Sequence, residues 1–119
     1  MMKFFNYLNN AGGYALAPEI TGMRYEFERL RDVFETALKH EIKVTLAIND
    51  LVDSCLKAKD FATFQFLQWF VNEQREEEVI SRRAVELFDI IGEEGQGIWL
   101  IDQAIGKIES DMKEAEEAE

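Results

Sequence analysis

Two glutamates occupy positions where a packed helix would place hydrophobic side chains. Between about residues 27 and 58 apolar residues recur at alternating spacings of three and four: Leu30, Phe34, Ala37, then Val44, Ile48, Leu51 and Cys55. That is the period of a helix facing a bundle seam, and Glu41 fills the gap in its column. From about residue 61 to 91 the stripe repeats as Leu67, Phe70, Gln74, Glu77, Ser81, Ala84, Phe88 and Ile91, with polar residues at two consecutive seam positions. Moving a carboxylate from water into an apolar seam costs on the order of several kcal/mol unless it is paired, protonated or bound to a metal. Glu41 and Glu77 therefore require a partner. With an antiparallel turn near Asp60, Glu41 lies about 19 residues before the turn and Glu77 about 17 after it, so the two reach nearly the same height.

Gln74 precedes Glu77 by three residues and Glu73 by four, so all three project from neighbouring sides of one helical turn, with Glu76 and Glu78 at the flank. Oxygen-rich sets of this kind suit hard or borderline cations, among them iron, manganese, magnesium and calcium, and the spacing alone does not select one. An arbitrary acidic run such as Glu73-Gln74-Arg75-Glu76-Glu77-Glu78 is more commonly a solvated helix face. The registration of Glu41 with Glu77 inside two apolar columns favours a site. His40, the single histidine, lies one position off the stripe and is expected at the surface or behind the ligands. Phe66, Trp69 and Phe70 are expected to pack, and Trp99 to pack or to stand at an interface. No Ser or Cys has a base at helical spacing, and neither a phosphate-cradling glycine loop nor a zinc-ligand spacing is present.

These residues need long helices to hold them. The chain has 119 residues, enough for one domain, and its single proline, Pro18, points to an all-α architecture. A net charge of -11 would repel a nucleic-acid backbone and favours cations as partners. Lone Cys55 has no internal disulfide partner and reads as a small buried thiol of a reducing, cytoplasmic protein. No signal peptide is visible at the N-terminus, and no stretch approaches the ~20 apolar residues that span a bilayer.

The elements predicted are the end of a helix over 1–10, stopped at Ala11-Gly12-Gly13; an extended crossover over 11–26 with a strand-like piece at Tyr14-Ala15-Leu16; a helix over 27–58; and a second, antiparallel helix over 61–91 with Asp60 as its cap. A hinge at Gly92, Gly95 and Gly97, a short amphipathic helix over 97–108 and a disordered acidic tail over 111–119 complete the chain. The two central helices, at roughly 30 residues and ~45 Å each, are too long to be stable unsupported in water.

The segments MKFFNYLN with the following Gly-Gly, FETALKHEIKVT around Glu41, FLQWFVNEQREEE around Glu77 and GEEGQGIWLIDQAIGKI resemble bacterial non-haem ferritin from Met2 to about Ser110. The resemblance implies a ferritin-like four-helix bundle in which 27–58 is the third helix, 61–91 the fourth and 97–108 the short fifth. It implies a subunit of a hollow 24-subunit shell in which Fe2+ is oxidised by O2 at a ferroxidase centre and stored as Fe3+ mineral. By that resemblance Glu41 matches the third-helix iron ligand, Gln74 and Glu77 match the fourth-helix members, and Glu73 and Glu76, with Glu77, match a nearby third iron site. In the family MKFFNYLN closes the second helix and follows a Glu-x-x-His motif, while a further ligand comes from the first helix. The expectation is thus a chain lacking the first helix and most of the second, with impaired ferroxidase chemistry.

Two other readings compete. A metal-free helical association module, or non-catalytic ferritin fragment, would need no ion at Glu41 and Glu77. A rubrerythrin-like peroxidase is weakened by the lack of a Cys-x-x-Cys iron module. Half a bundle exposes an apolar seam, so self-association is expected, with two hairpins pairing into four helices.

Overall fold

In a computed structural model, described for residues 2–118, the chain is all-helical: α1 (Met2–Asn10), α2 (Leu30–Ala58), α3 (Phe61–Ile91) and α4 (Gly97–Glu117). The central unit is the antiparallel hairpin of α2 and α3. Its turn is built by local chemistry. Lys59 takes the left-handed conformation (φ 57°) and donates its N–H to the carbonyl of Leu56, while the Asp60 N–H bonds to that of Cys55. This is the paired-bond ending that satisfies the last carbonyls of a helix. Asp60 then caps α3, accepting from the backbone N–H of Thr63 (3.1 Å) and from its hydroxyl (2.6 Å). Those two bonds hold the Asp60 carboxyl below its ordinary pKa.

α2 begins at Leu30, three residues later than the predicted start at 27. In the non-helical stretch before it, the Arg24 guanidinium stacks over the Phe27 ring at 4.5 Å and its Nε donates to the carbonyl of Glu26. The open end of the hairpin is tied by α3 and the loop beyond it: Glu93 accepts from the backbone N–H of Arg31 (2.6 Å), and Asp89 from Arg31 Nε (2.8 Å). Glu93 thus performs from a distance the capping that Arg29 does not.

The core lies along the α2–α3 seam and continues under α4, with Ile48, Leu67, Ala84, Phe88 and Ile101 buried. α1 closes the turn end by aromatic packing: Tyr7 stacks on Phe66 at 3.9 Å, and Phe4 meets Phe70 at 4.0 Å. The Tyr7 hydroxyl also hydrogen-bonds that of Thr63 (2.9 Å).

Two expectations are corrected. Tyr14-Ala15-Leu16 is not a strand; among the described residues there is no strand for it to pair with, and Tyr14 and Leu16 are exposed. The acidic tail is helical as far as Glu117, because Asp111 to Glu116 contain no glycine or proline and Met112 continues the apolar column of Ile101, Ile105 and Ile108 onto α3. α4 is therefore 21 residues long and folds back along α3. Gly97 permits the reversal: a Cβ there would collide with the carbonyl oxygen of Gly92. No helix is long and apolar enough to cross a membrane among the described residues.

Candidate metal centre

Glu41 is half-buried on the seam face of α2, and Gln74 faces it from α3 with only 7 % of its surface exposed. Gln74 Nε2 donates twice to Glu41, to the carboxylate oxygen Oε2 at 2.7 Å and to the main-chain carbonyl at 3.0 Å. Both partners are acceptors, so the amide can face them only through its nitrogen.

Glu77 lies one helical turn further along α3, and the residue as a whole is exposed. The sequence places it within a closed seam; here the seam opens towards α4 and solvent, so the acid is reached from outside. Neighbouring side chains nevertheless crowd its carboxyl. That burial, then the charges of Glu41, Glu73 and Glu109, push its pKa up. Of these charges, that of Glu41 reaches Glu77 from α2 across the seam.

Glu73 and Glu76 lie on the α4 side of α3. Together with Glu77, Glu109, Met112 and Glu116 they line a cavity of about 260 Å³ between the two helices. The Glu76 carboxyl is pushed up by burial first, then by the charge of Glu116. Glu109 lies just past the predicted short helix, and Glu116 in the predicted disordered tail. The apolar column running on to Met112 was the signal that could have placed them.

Glu78, expected at the flank of the same group, faces the other way. Its Oε2 accepts from the Thr45 hydroxyl (2.6 Å), and its Oε1 lies 3.2 Å from Arg82 Nη2. The Thr45 hydroxyl also sits 3.1 Å from the Glu41 carbonyl; its single proton serves one acceptor at a time. Thr45, one turn after Glu41 on the same face, is a seam residue the sequence reading passes over. His40 is exposed and takes no part.

Among the described residues no three His, Cys, Asp or Glu side chains converge as a ready-made ion cage. What the seam holds is a carboxylate on α2 bonded by an amide on α3, with a second carboxylate, Glu77, one turn further along α3.

The ferritin family model, a ferritin-like domain, matches residues 1–91. A probable bacterial non-heme ferritin-like protein of Haemophilus influenzae is 39 % identical over 108 residues, which are 91 % of this chain and 66 % of that protein. The bacterial non-heme ferritin of Campylobacter jejuni is 42 % identical over 106 residues, 89 % of this chain and 64 % of the relative. Among solved structures, an open-pore ferritin from the archaeon Archaeoglobus fulgidus superposes with a TM-score of 0.81 at 35 % identity, covering 87 % of this chain and 64 % of its own. The chain thus spans slightly under two thirds of the length of these relatives.

Proposed function

The chain belongs to the ferritin family, and from that premise we propose that it binds and stores iron in a ferritin assembly, with Fe2+ as the substrate. In this reading α1 takes the place of the end of the family's second helix, α2 and α3 those of the third and fourth, and α4 that of the fifth. The chain contributes the third- and fourth-helix half of a carboxylate centre at which Fe2+ gives electrons to O2.

The observation that carries the reading is the pairing across the α2–α3 seam: Glu41 bonded to Gln74, with Glu77 near enough for the Glu41 charge to help push its pKa up after burial. Two acids that repel in the absence of a cation are stabilised together when one arrives, which is the electrostatic requirement for binding. The chain's residues supply ligand oxygens and access from the open side of the seam, while the redox chemistry belongs to iron and oxygen. Glu73 and Glu76, beside Glu77, form the second group of acids through which iron would pass. The relatives' own names as ferritins and the net charge of -11 support the same substrate. A cytoplasmic location and self-association into a multi-subunit shell accompany this reading, since large apolar side chains such as Leu46, Leu51 and Trp99 stand exposed on the single chain.

The test is aerobic oxidation of Fe2+, followed by absorbance of the ferric product, with the whole chain and with a Glu41→Ala/Glu77→Ala variant of equal helicity. Oxidation should slow towards the protein-free rate in the variant. Equal rates would assign the hairpin to metal-free association instead.

A further inference from the structure

A helix that rests on one neighbour needs one apolar face, yet α4 opens with Ile98-Trp99-Leu100-Ile101, apolar all the way round its first turn. Only Ile101 is buried (2 %); Ile98, Trp99 and Leu100 stand exposed. Ile90, just before the loop of residues 92–96, is exposed as well. Large apolar side chains without cover therefore gather on both sides of the loop that joins α3 to α4. Further along, α4 keeps a single apolar column, Ile101, Ile105, Ile108 and Met112, and this column is the one turned to α3.

The loop makes a close reversal. Gly92 and Gly95 both have positive φ (78° and 60°), and Gly97 lies so near the Gly92 carbonyl oxygen that a Cβ would collide with it. Glycine loses more freedom on ordering than any other residue, so a reversal built on three of them costs entropy that an open loop recovers. The end of α3 and the first part of the loop are tied to α2, through Asp89 and Glu93 on Arg31. No such tie reaches past Glu93 among the described residues, which leaves Gly95–Gly97 as the point of opening.

We propose that α4 is exchanged between two copies of the chain: the loop opens at Gly95–Gly97, and the Ile101–Met112 column of each copy docks on α3 of the other. The partner's surface is the one already seen in contact with α4, so the exchange needs no new complementarity. Acids that face one another across that contact, Glu73 and Glu76 against Glu109 and Glu116, line the same cavity in either form and do not decide between them. The difference lies at the crossover, where two loops pass side by side and Ile90, Ile98, Trp99 and Leu100 of both copies meet. Burial of these side chains favours the exchanged form. Exchange of α4 needs no metal at the Glu41–Glu77 seam.

The experiment asks whether the α4 docked on a given α3 belongs to the same chain. Arg75 of α3 and Glu116 of α4 line one cavity and are both exposed, so cysteines at these positions leave the core alone. The full chain carrying Cys55→Ser, Arg75→Cys and Glu116→Cys is separated into monomeric and assembled fractions by size exclusion, and each is treated with a short bifunctional thiol reagent. Circular dichroism checks its helicity; if that is lost, Ile80→Cys with Met112→Cys, which also share a cavity, takes its place.

On a denaturing gel the monomeric fraction should run as single chains of 13.8 kDa, joined internally, and the assembled fraction mainly as covalent dimers of twice that mass. An assembled fraction that yields only internally joined single chains would show association without exchange. A chain that never assembles, or thiols that stay unjoined in both fractions, would show that α4 finds no second α3 or is not held on α3 at all. Each of these three results overturns the proposal.

Discussion

Removing the charge at Glu77 separates its effect on the fold from its effect on a cation. Its pKa is raised by burial and by Glu41, Glu73 and Glu109, so the native state holds the proton more tightly than the unfolded chain does. The contribution is favourable below the ordinary carboxylate pKa of 4.5 and is lost as pH rises through the elevated native value. Asp60 and Asp89, whose pKa values are lowered by Thr63 and Arg31, have the opposite sign and lose their contribution as pH falls below 3.8. Glu77→Gln should therefore stabilise the metal-free chain at pH 7, by less than ~1 kcal/mol for a solvent-screened charge, and the gain should shrink towards pH 4. The same variant should lose the stabilisation that Mn2+ or Fe2+ confers on the unaltered chain. Thermal melts at pH 4 and 7, with and without metal, check both halves; a variant less stable at pH 7 without metal would show that the repulsion is not there.

At this scale the place of Glu41 on the seam face of α2 was legible, because its apolar column has an acid at one step, and so was the facing of Gln74, a polar step in the column of α3. The direction in which each acid faces was not. Side chains on adjacent positions of a long helix differ in exposure by what covers them, and α4's return along α3 is a tertiary fact. Glu78 shows the limit: its neighbour in sequence, Glu77, opens to the acidic cavity, while Glu78 turns to Thr45 and Arg82.

For the elements, local signals sufficed where local chemistry decides the boundary. Asp60 as a cap and the run from Phe61 to Ile91 could be read from residue type and period, and the turn uses those same groups. The start of α2 could not, because its cap is Glu93, 62 positions away from the Arg31 N–H it accepts. α4 runs past its predicted end at 108 because an acidic composition favours disorder only where no packing opposes it, and Met112 beside α3 rewards continued helix.

Two substitutions test this level. Asp60→Ala removes both bonds to Thr63 and should lower the thermal midpoint by about 2–6 °C while leaving the far-UV spectrum helical; an unchanged midpoint would mean that the turn is held by other contacts. Gly97→Ala places a Cβ against the Gly92 carbonyl, so the reversal into α4 must open. Hydrogen exchange should quicken across Ile98–Met112 in that variant and remain unaffected near Asp60.

The whole molecule presents apolar surface that one copy does not cover. Ile90 is 79 % exposed and Trp99 61 %, at the end where α3 hands over to α4, while Leu46, Leu51 and Trp69 stand open along the hairpin. Burying such surface favours association, whereas a net charge of -11 on each copy opposes it. Salt screens the second effect and not the first. Sedimentation should therefore show assemblies at micromolar concentration that grow as ionic strength rises from about 0.05 to 0.5 M; a monodisperse monomer throughout would contradict this.

Iron storage by this chain, as proposed, requires a cation held between α2 and α3. The most direct measurement is anomalous X-ray diffraction at the iron edge, from crystals of the chain grown anaerobically and soaked in Fe2+. A peak bridging the carboxylates of Glu41 and Glu77 is the predicted result. Iron bound only among Glu73, Glu76 and Glu116, or density showing Glu41 and Glu77 turned apart with no peak between them, would contradict it.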